Sequence, residues 1–169
     1  MGTKARAIVK AKGIDVQELI KLLNKAYSDE WLAYYQYWLG AKIVVGVPKK
    51  EAQDEFEEHA EEELKHAKML AKRIIELGGT PVLEPKEWYT QSTCGYNKPK
   101  DPDVRVLLEQ NIKGEQCAIF VYDGLLEYTK GKDPVTYNMI RKIQEEEIEH
   151  EEDLQSLQRD IELFEKAKK

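Results

Sequence analysis

Four stretches of this chain repeat apolar residues in alternating steps of three and four, the spacing that lays one buried stripe along an α-helix. The first reads Leu19, Leu23, Ala26, Glu30, Ala33, Tyr37, Gly40, Val44, and the second Phe56, His59, Glu63, His66, Leu70, Ile74, Leu77. The third reads Val104, Leu108, Ile112, Glu115, Ile119, Tyr122, Leu126, and the fourth Ile140, Ile143, Glu147, His150, Leu154, Leu157, Ile161, Phe164. A helix with one apolar stripe must close it against other helices, so the stripes predict a helical bundle. Asp15 followed by Glu18 marks the first start, and Gly46 the first stop. Pro48 stands where a first helical residue would, and Gly78-Gly79 end the second helix. Asp101-Pro102 and Asp133-Pro134 repeat one start signal, an N-cap Asp before a Pro, and Gly131 closes the third helix.

These boundaries give four helices of about 30 residues, each roughly 45 Å long. Tight turns join the first to the second and the third to the fourth; residues 78–100 join the pairs. The predicted fold is all-α, a four-helix bundle of two antiparallel helical hairpins joined by a long crossover. Residues 1–13, with Lys4, Arg6, Lys10 and Lys12, read as a flexible basic N-terminal tail, and residues 14–169 as the bundle domain. A net charge of -6 argues against a surface that coats nucleic acid. No apolar run reaches the roughly 18 residues of a membrane span, and Met1 to Arg6 lacks the apolar region of a signal peptide. The expectation is a soluble cytoplasmic protein. Two cysteines, Cys94 and Cys117, without a C-x-x-C pair, make neither a disulfide scaffold nor a zinc or rubredoxin-type site.

Every stripe is interrupted by a glutamate, and two of them carry a histidine three residues later. Glu30 lies 17 residues before Val47 and Glu63 lies 16 after it; Glu115 lies 17 before Lys132 and Glu147 lies 15 after. Within each hairpin the two carboxylates therefore sit at one height. With the hairpin turns at opposite ends, four carboxylates and two imidazoles meet in one layer near mid-bundle. Ionised carboxylates buried together repel and lose hydration, at several kcal/mol per ion. They survive by protonation, by pairing with Lys or Arg, or by binding cations. No Lys or Arg occupies a neighbouring stripe position, whereas two divalent ions match four negative charges. Oxygen and imidazole donors suit iron or manganese. The pattern predicts a dinuclear metal site formed by Glu30, Glu63, His66, Glu115, Glu147 and His150. The neighbouring Glu58, Glu61, Glu145 and Glu146 read as solvated helix faces, and so does Glu62.

The segments Asp29-Glu30-Trp31-Leu32-Ala33-Tyr34-Tyr35-Gln36-Tyr37, Glu63-Leu64-Lys65-His66-Ala67, Lys113-Gly114-Glu115 and Glu147-Ile148-Glu149-His150 resemble the ferritin-like superfamily, in particular its bacterioferritin and Dps-like members. The resemblance implies that Glu30 and Glu115 are terminal ligands of two iron ions (manganese being the alternative), that Glu63 and Glu147 bridge them, and that His66 and His150 bind one each. It also implies that Tyr37 is a catalytic tyrosine that supplies an electron beside the centre. Leu64 stands where haem-binding relatives carry Met, so no haem is expected. A bundle of this type with a crossover cysteine and one just after the third-helix Glu is similar to thioferritins. That likeness implies a homo-oligomeric cage of 12 or 24 subunits that oxidises ferrous iron with hydrogen peroxide (or oxygen), stores ferric mineral and protects against oxidative stress. Manganese catalase-like disproportionation of peroxide and a DNA-binding structural cage are the alternatives; DNA binding by the basic tail and membrane association are not expected.

Cys117 lies about 200° around its helix from Glu115 and so points away from the metal layer, toward whatever covers the bundle. The crossover carrying Cys94 is a candidate cover, leaving a Cys94–Cys117 disulfide or two buried free thiols as the alternatives. His59, one heptad before His66, reads as a core or pore-lining histidine. Trp31, Tyr34, Tyr35 and Trp38 make the first helix apolar beyond its stripe, which predicts extra cover from a neighbouring subunit.

Overall fold

The structure is a computed structural model that describes residues 3–168; residues 1, 2 and 169, at the ends of the expected tail and bundle domain, lie outside the described residues. Six helices follow in order: α1 (Thr3–Ala11), α2 (Val16–Ile43), α3 (Lys49–Glu76), α4 (Pro85–Gln91), α5 (Val104–Thr129) and α6 (Pro134–Ala167). The four long ones are the predicted bundle. α2 lies along α3 and α5 along α6; the hairpins meet through α2 against α5 and α3 against α6. The α2/α5 and α3/α6 seams are therefore on opposite sides of the bundle. No helix among the described residues is long and apolar enough to cross a membrane.

Local chemistry sets the ends. Asp15 caps α2, its carboxylate accepting from the backbone N–H groups of Gln17 and Glu18. Pro48 is the N-cap of α3, one position earlier than its missing N–H suggested. Asp103 caps α5 in place of Asp101, because Val45 N–H donates to the Pro102 carbonyl and Val104 N–H to the Val45 carbonyl, both at 2.9 Å. That bridge holds Pro102 outside the helix and pins the first hairpin turn to the start of α5. At the other end Arg73 of α3 binds Asp133, the N-cap of α6. The two turns thus sit at opposite ends, and the crossover must run the length of the bundle.

The core divides in two. Leu19, Leu23, Leu70, Ile74, Ile140 and Ile143 belong to one buried cluster, and Val44, Phe56, Leu108, Leu154 and Ile161 to another. Each fully buried Leu, Ile or Phe side chain contributes about 1.5–3 kcal/mol, so the two ends hold the helices together and position the middle.

Two segments differ from expectation. Residues 3–11 of the expected tail form a helix, closed by a Schellman turn: Gly13 has φ +82°, Gly13 N–H donates to Lys10 and Ile14 N–H to Val9. Val9 and Ile14 are buried together against the first cluster, which gives the segment an anchor that a basic tail lacks. The crossover contains α4, begun by Pro85, and Trp88 stacks on Trp31 with ring centroids 5.0 Å apart. The cover expected from a neighbouring subunit is thus supplied, over Trp31, by the chain itself. Tyr35 and Trp38 stay 44% and 43% exposed.

The Arg73–Asp133 pair is buried at the junction of the hairpins. Arg73 Nη2 lies 2.8 Å from Asp133 Oδ2 and its Nε donates to Thr136 Oγ1 at 2.7 Å. Burial raises the Asp133 carboxyl, but hydrogen bonds from Thr136 and Arg73 prevail and hold it below the usual carboxylate range. Asp133→Ala breaks this buried pair and leaves the guanidinium only the half-exposed Glu76 carboxylate, 3.1 Å from Nη1, and should cost about 3 kcal/mol in urea unfolding at neutral pH. Because the folded value is depressed, the wild-type contribution is complete above a pH of about 4 and is lost as pH falls through the folded value. Unfolding at acid pH should bring wild type and variant together.

Candidate metal centre

Between the two apolar clusters lies a layer of six polar side chains: Glu30 from α2, Glu63 and His66 from α3, Glu115 from α5, and Glu147 and His150 from α6. None is more than 3% exposed. His66 Nδ1 lies 3.2 Å from Glu30 Oε2, 3.3 Å from Glu63 Oε2 and 3.1 Å from Glu147 Oε1. His150 Nδ1 lies 3.6 Å from Glu63 Oε1, 3.5 Å from Glu147 Oε2 and 3.9 Å from Glu115 Oε2. Two sets of four donors result: Glu30, Glu63, His66 and Glu147, and Glu63, Glu115, Glu147 and His150. Within each set the donor atoms lie within 4.8 Å of one another, and Glu63 and Glu147 belong to both.

The donors fit divalent cations on a further ground. Glu63 Oε1, both carboxylate oxygens of Glu147, and His150 Nδ1 are buried without a hydrogen-bond partner. Glu147 Oε1 approaches His66 Nδ1 closely, yet the angle makes no hydrogen bond. Leaving such atoms unpaired costs about 1–3 kcal/mol each, more for charged groups. A cation between them removes that cost.

Four of the six donors are held from behind. His66 Nε2 lies 2.7 Å from Glu146 Oε2 and His150 Nε2 lies 2.8 Å from Glu62 Oε2. These carboxylates accept the Nε2 proton and so turn Nδ1 toward the centre, the usual way a ligand imidazole is oriented. Tyr122 Oη donates to Glu30 Oε1, and Tyr37 Oη donates to Glu115 Oε1. The pattern is twofold. Glu62-Glu63-x-x-His66 on α3 matches Glu146-Glu147-x-x-His150 on α6, and Glu30 with Tyr37 seven residues on matches Glu115 with Tyr122. The support residues Glu62, Glu146 and Tyr122 escaped the sequence reading, which took the two glutamates for surface and the tyrosine for packing. The doubled E-E-x-x-H and E-x6-Y patterns were the signal.

Without cations the layer must neutralise itself. Burial, then repulsion by Glu63 and Glu147, pushes the Glu30 carboxyl well above its ordinary value; burial, then repulsion by Glu147 and Glu63, does the same to Glu115. Burial would raise Glu63 and Glu147 too, and Glu63 repels Glu147 as well, but the two imidazoles close beside them prevail and hold both low. Burial disfavours charged imidazoles, yet the carboxylates around them win: His66 is raised, and His150 is pushed up to about 12. These directions favour protons on Glu30, Glu115 and both imidazoles, and so move the layer toward charge balance.

A cavity of about 140 Å³ at the α2/α5 seam reaches Glu30, Glu63, Glu115 and Glu147, with Cys94 and Asn111 on its walls. The crossover roofs this seam. Cys94 is disulfide-bonded to Cys117, with Cα atoms 5.7 Å apart. Asp29 Oδ1 accepts from Ser92 Oγ at 2.6 Å and from Cys94 N–H at 2.8 Å. Asn24 holds the earlier part through Thr80 and Val82. His59 is buried with its ring stacked on His150, centroids 4.0 Å apart, outside the two four-donor sets.

An all-α bundle with a buried layer of four carboxylates and two histidines defines a class of helical carboxylate protein. Residues 20–164 match the ferritin-like domain, and the chain belongs to that family. It is 35% identical over 147 residues to the DNA protection during starvation protein of Pyrococcus furiosus, covering 86% of this chain and 80% of that protein. Among solved structures it superposes, with a TM-score of 0.95 and 47% identity over 97% of each chain, on a dodecameric thioferritin, the bacterioferritin-related protein of Bacteroides fragilis. Ferritin-like, diiron-carboxylate proteins of Bacillus anthracis share 28% identity over 85% of this chain and 97% of theirs, with a TM-score of 0.73.

The charge assignment is open to NMR. In metal-stripped protein His66 and His150 should keep both ring protons at pH 9, where an ordinary histidine with a pKa of about 6.5 is neutral. Neutral imidazole signals for both rings at that pH would overturn it.

Proposed function

We propose that the chain is a ferroxidase and iron-storage protein that consumes peroxide, with the six-residue layer as the site where ferrous iron is oxidised. The observation that carries this reading is the set of buried, unpartnered Glu63, Glu147 and His150 atoms aimed into a layer with two matched halves. Glu30 and His66 would hold one ferrous ion, Glu115 and His150 the other, with Glu63 and Glu147 shared. Hydrogen peroxide accepts one electron from each ferrous ion and two protons; its O–O bond breaks, leaving two waters and two ferric ions for storage. The protein's part is geometry and charge: the ions replace displaced protons, and Glu62, Glu146, Tyr37 and Tyr122 keep the donors aimed inward. We assign Tyr37, hydrogen-bonded to Glu115, as the residue that supplies the second electron, with its phenolic proton, when only one ferrous ion is bound; a later ferrous ion and a proton then restore it. The Pyrococcus relative's name speaks of protection during starvation, and the Bacteroides relative is a dodecameric thioferritin. Both support stress protection by a cage of this chain. Phe120 and Leu83, 77% and 80% exposed, are apolar surface that assembly would cover.

Stopped-flow mixing with ferrous iron and peroxide should form ferric product faster than with oxygen, and Glu63→Ala should fall to the rate of iron in buffer. A Glu63→Ala rate equal to wild type, or peroxide loss that needs only manganous ion, would overturn the assignment. Glu146→Ala should weaken metal binding or activity by about 10–100-fold. Loading with zinc in weak buffer at neutral pH should release protons from Glu30, Glu115, His66 and His150, all raised without metal, so affinity falls as pH falls. Uptake with no proton release would contradict the charge balance.

A further inference from the structure

We propose that Glu55, His59 and Asp153 form a third cation site on the α3/α6 seam, a station through which a divalent first-row metal ion passes between solvent and the dinuclear centre. Glu55 and His59 stand one turn apart on α3, and Asp153 faces them from α6. His59 Nε2 lies 3.2 Å from Glu55 Oε1 and 4.0 Å from Asp153 Oδ2, and one donor atom from each of the three residues falls within 4.8 Å of the others.

A hydrogen bond to Glu55 alone would satisfy the nitrogen; it does not account for Asp153. Two carboxylates converge on one imidazole, and among the described residues neither has a Lys or Arg within 4.0 Å. A cation between like charges drawn together in that way relieves their repulsion. The imidazole is 1% exposed, and its packing between Tyr37 and His150 commits the ring to this place. The two carboxylates remain 31% and 44% exposed, open to an ion arriving from water. One imidazole with two carboxylates is a donor set for ferrous, manganous or zinc ions.

Position supplies the role. The His59 ring stacks on His150, and His59, Glu115 and His150 also offer donor atoms within 4.8 Å of one another. A buried imidazole therefore touches an open carboxylate pair on one side and the dinuclear layer on the other. The α2/α5 seam carries the roofed cavity; this site lies on the opposite seam, so ions and oxidant need not share one route. That ferrous iron is the ion carried rests on the proposed ferroxidase function; the cation site itself does not.

Crystals of the whole protein soaked in zinc chloride and measured at the zinc edge should show three anomalous peaks per chain, one of them between Glu55, His59 and Asp153. Glu55→Gln with Asp153→Asn, both partly exposed and tolerant of change, should lose that peak alone. Glu63→Ala should lose the paired peaks and keep it. In the double variant, ferric product should form several-fold more slowly once each chain has oxidised its first two ferrous ions. Absence of the third peak at millimolar zinc overturns the site whatever the paired peaks do. A third peak with an unchanged multiple-turnover rate overturns the transport role. A third peak without the pair leaves this site standing and removes the ferroxidase reading.

Discussion

Four carboxylates buried in one layer, with no lysine or arginine among them, are the constraint on which the rest of this molecule depends. Burial of one such charge costs several kcal/mol, and apolar packing in that layer contributes nothing to offset it. The bundle accordingly splits its core into two clusters, one at each end, which hold the helices while the middle is given over to charge. In the metal-free layer burial and mutual repulsion favour protons on Glu30 and Glu115, and the surrounding carboxylates favour them on the imidazoles. A charge of +4 from two divalent ions is the equivalent substitute. The same construction explains the two buried tyrosines: each gives a terminal carboxylate one fixed donor and no charge.

The supporting contacts cross from one hairpin to the other. His66 of the first hairpin is held by Glu146 of the second, and His150 by Glu62; Glu30 is held by Tyr122, and Glu115 by Tyr37. Apolar stripes of leucine and isoleucine could slide past one another by a turn, about 5.4 Å, and still be buried. These four hydrogen bonds could not. The polar layer thus sets the register of the hairpins as well as filling the middle, and neither hairpin contains a complete centre by itself.

Position along a helix was legible in the sequence, and partnership across helices was not. Glu30, Glu63, Glu115 and Glu147 betrayed themselves by standing on apolar stripes at matched depth, because period and rise depend only on the backbone. Glu62 and Glu146 lie one residue off the stripe, where most glutamates are solvated; what draws them in is an imidazole on the facing helix, whose rotation no single-helix pattern encodes. Asp101 and Asp103 are equally good caps by composition, and the contact of Val45 with Pro102 and Val104 decides between them. The helix at residues 3–11 turns on Gly13 and on burial of Val9, and four basic side chains masked both. Trp31 announced that it needed cover without saying that Trp88, 57 residues later, would provide it.

The centre is nearly twofold symmetric, yet its two faces are not alike, and topology is the cause. Two hairpins with turns at opposite ends can be joined only by a segment that travels the whole bundle, and one segment can cover only one seam. It covers α2/α5, where Asn24, Asp29 and Gln36 take its backbone N–H groups and the Cys94–Cys117 bond fixes it to α5. Among the described residues the α3/α6 seam has no strap, and there Glu55, Glu62, Glu146 and Asp153 gather, partly exposed, beside His59, His66 and His150. Under the proposed function, a small neutral oxidant would suit a narrow roofed cavity, and a hydrated cation would be drawn to an open row of carboxylates. The difference between faces that a symmetric pair of donor sets lacks is supplied by the one connection that cannot be symmetric.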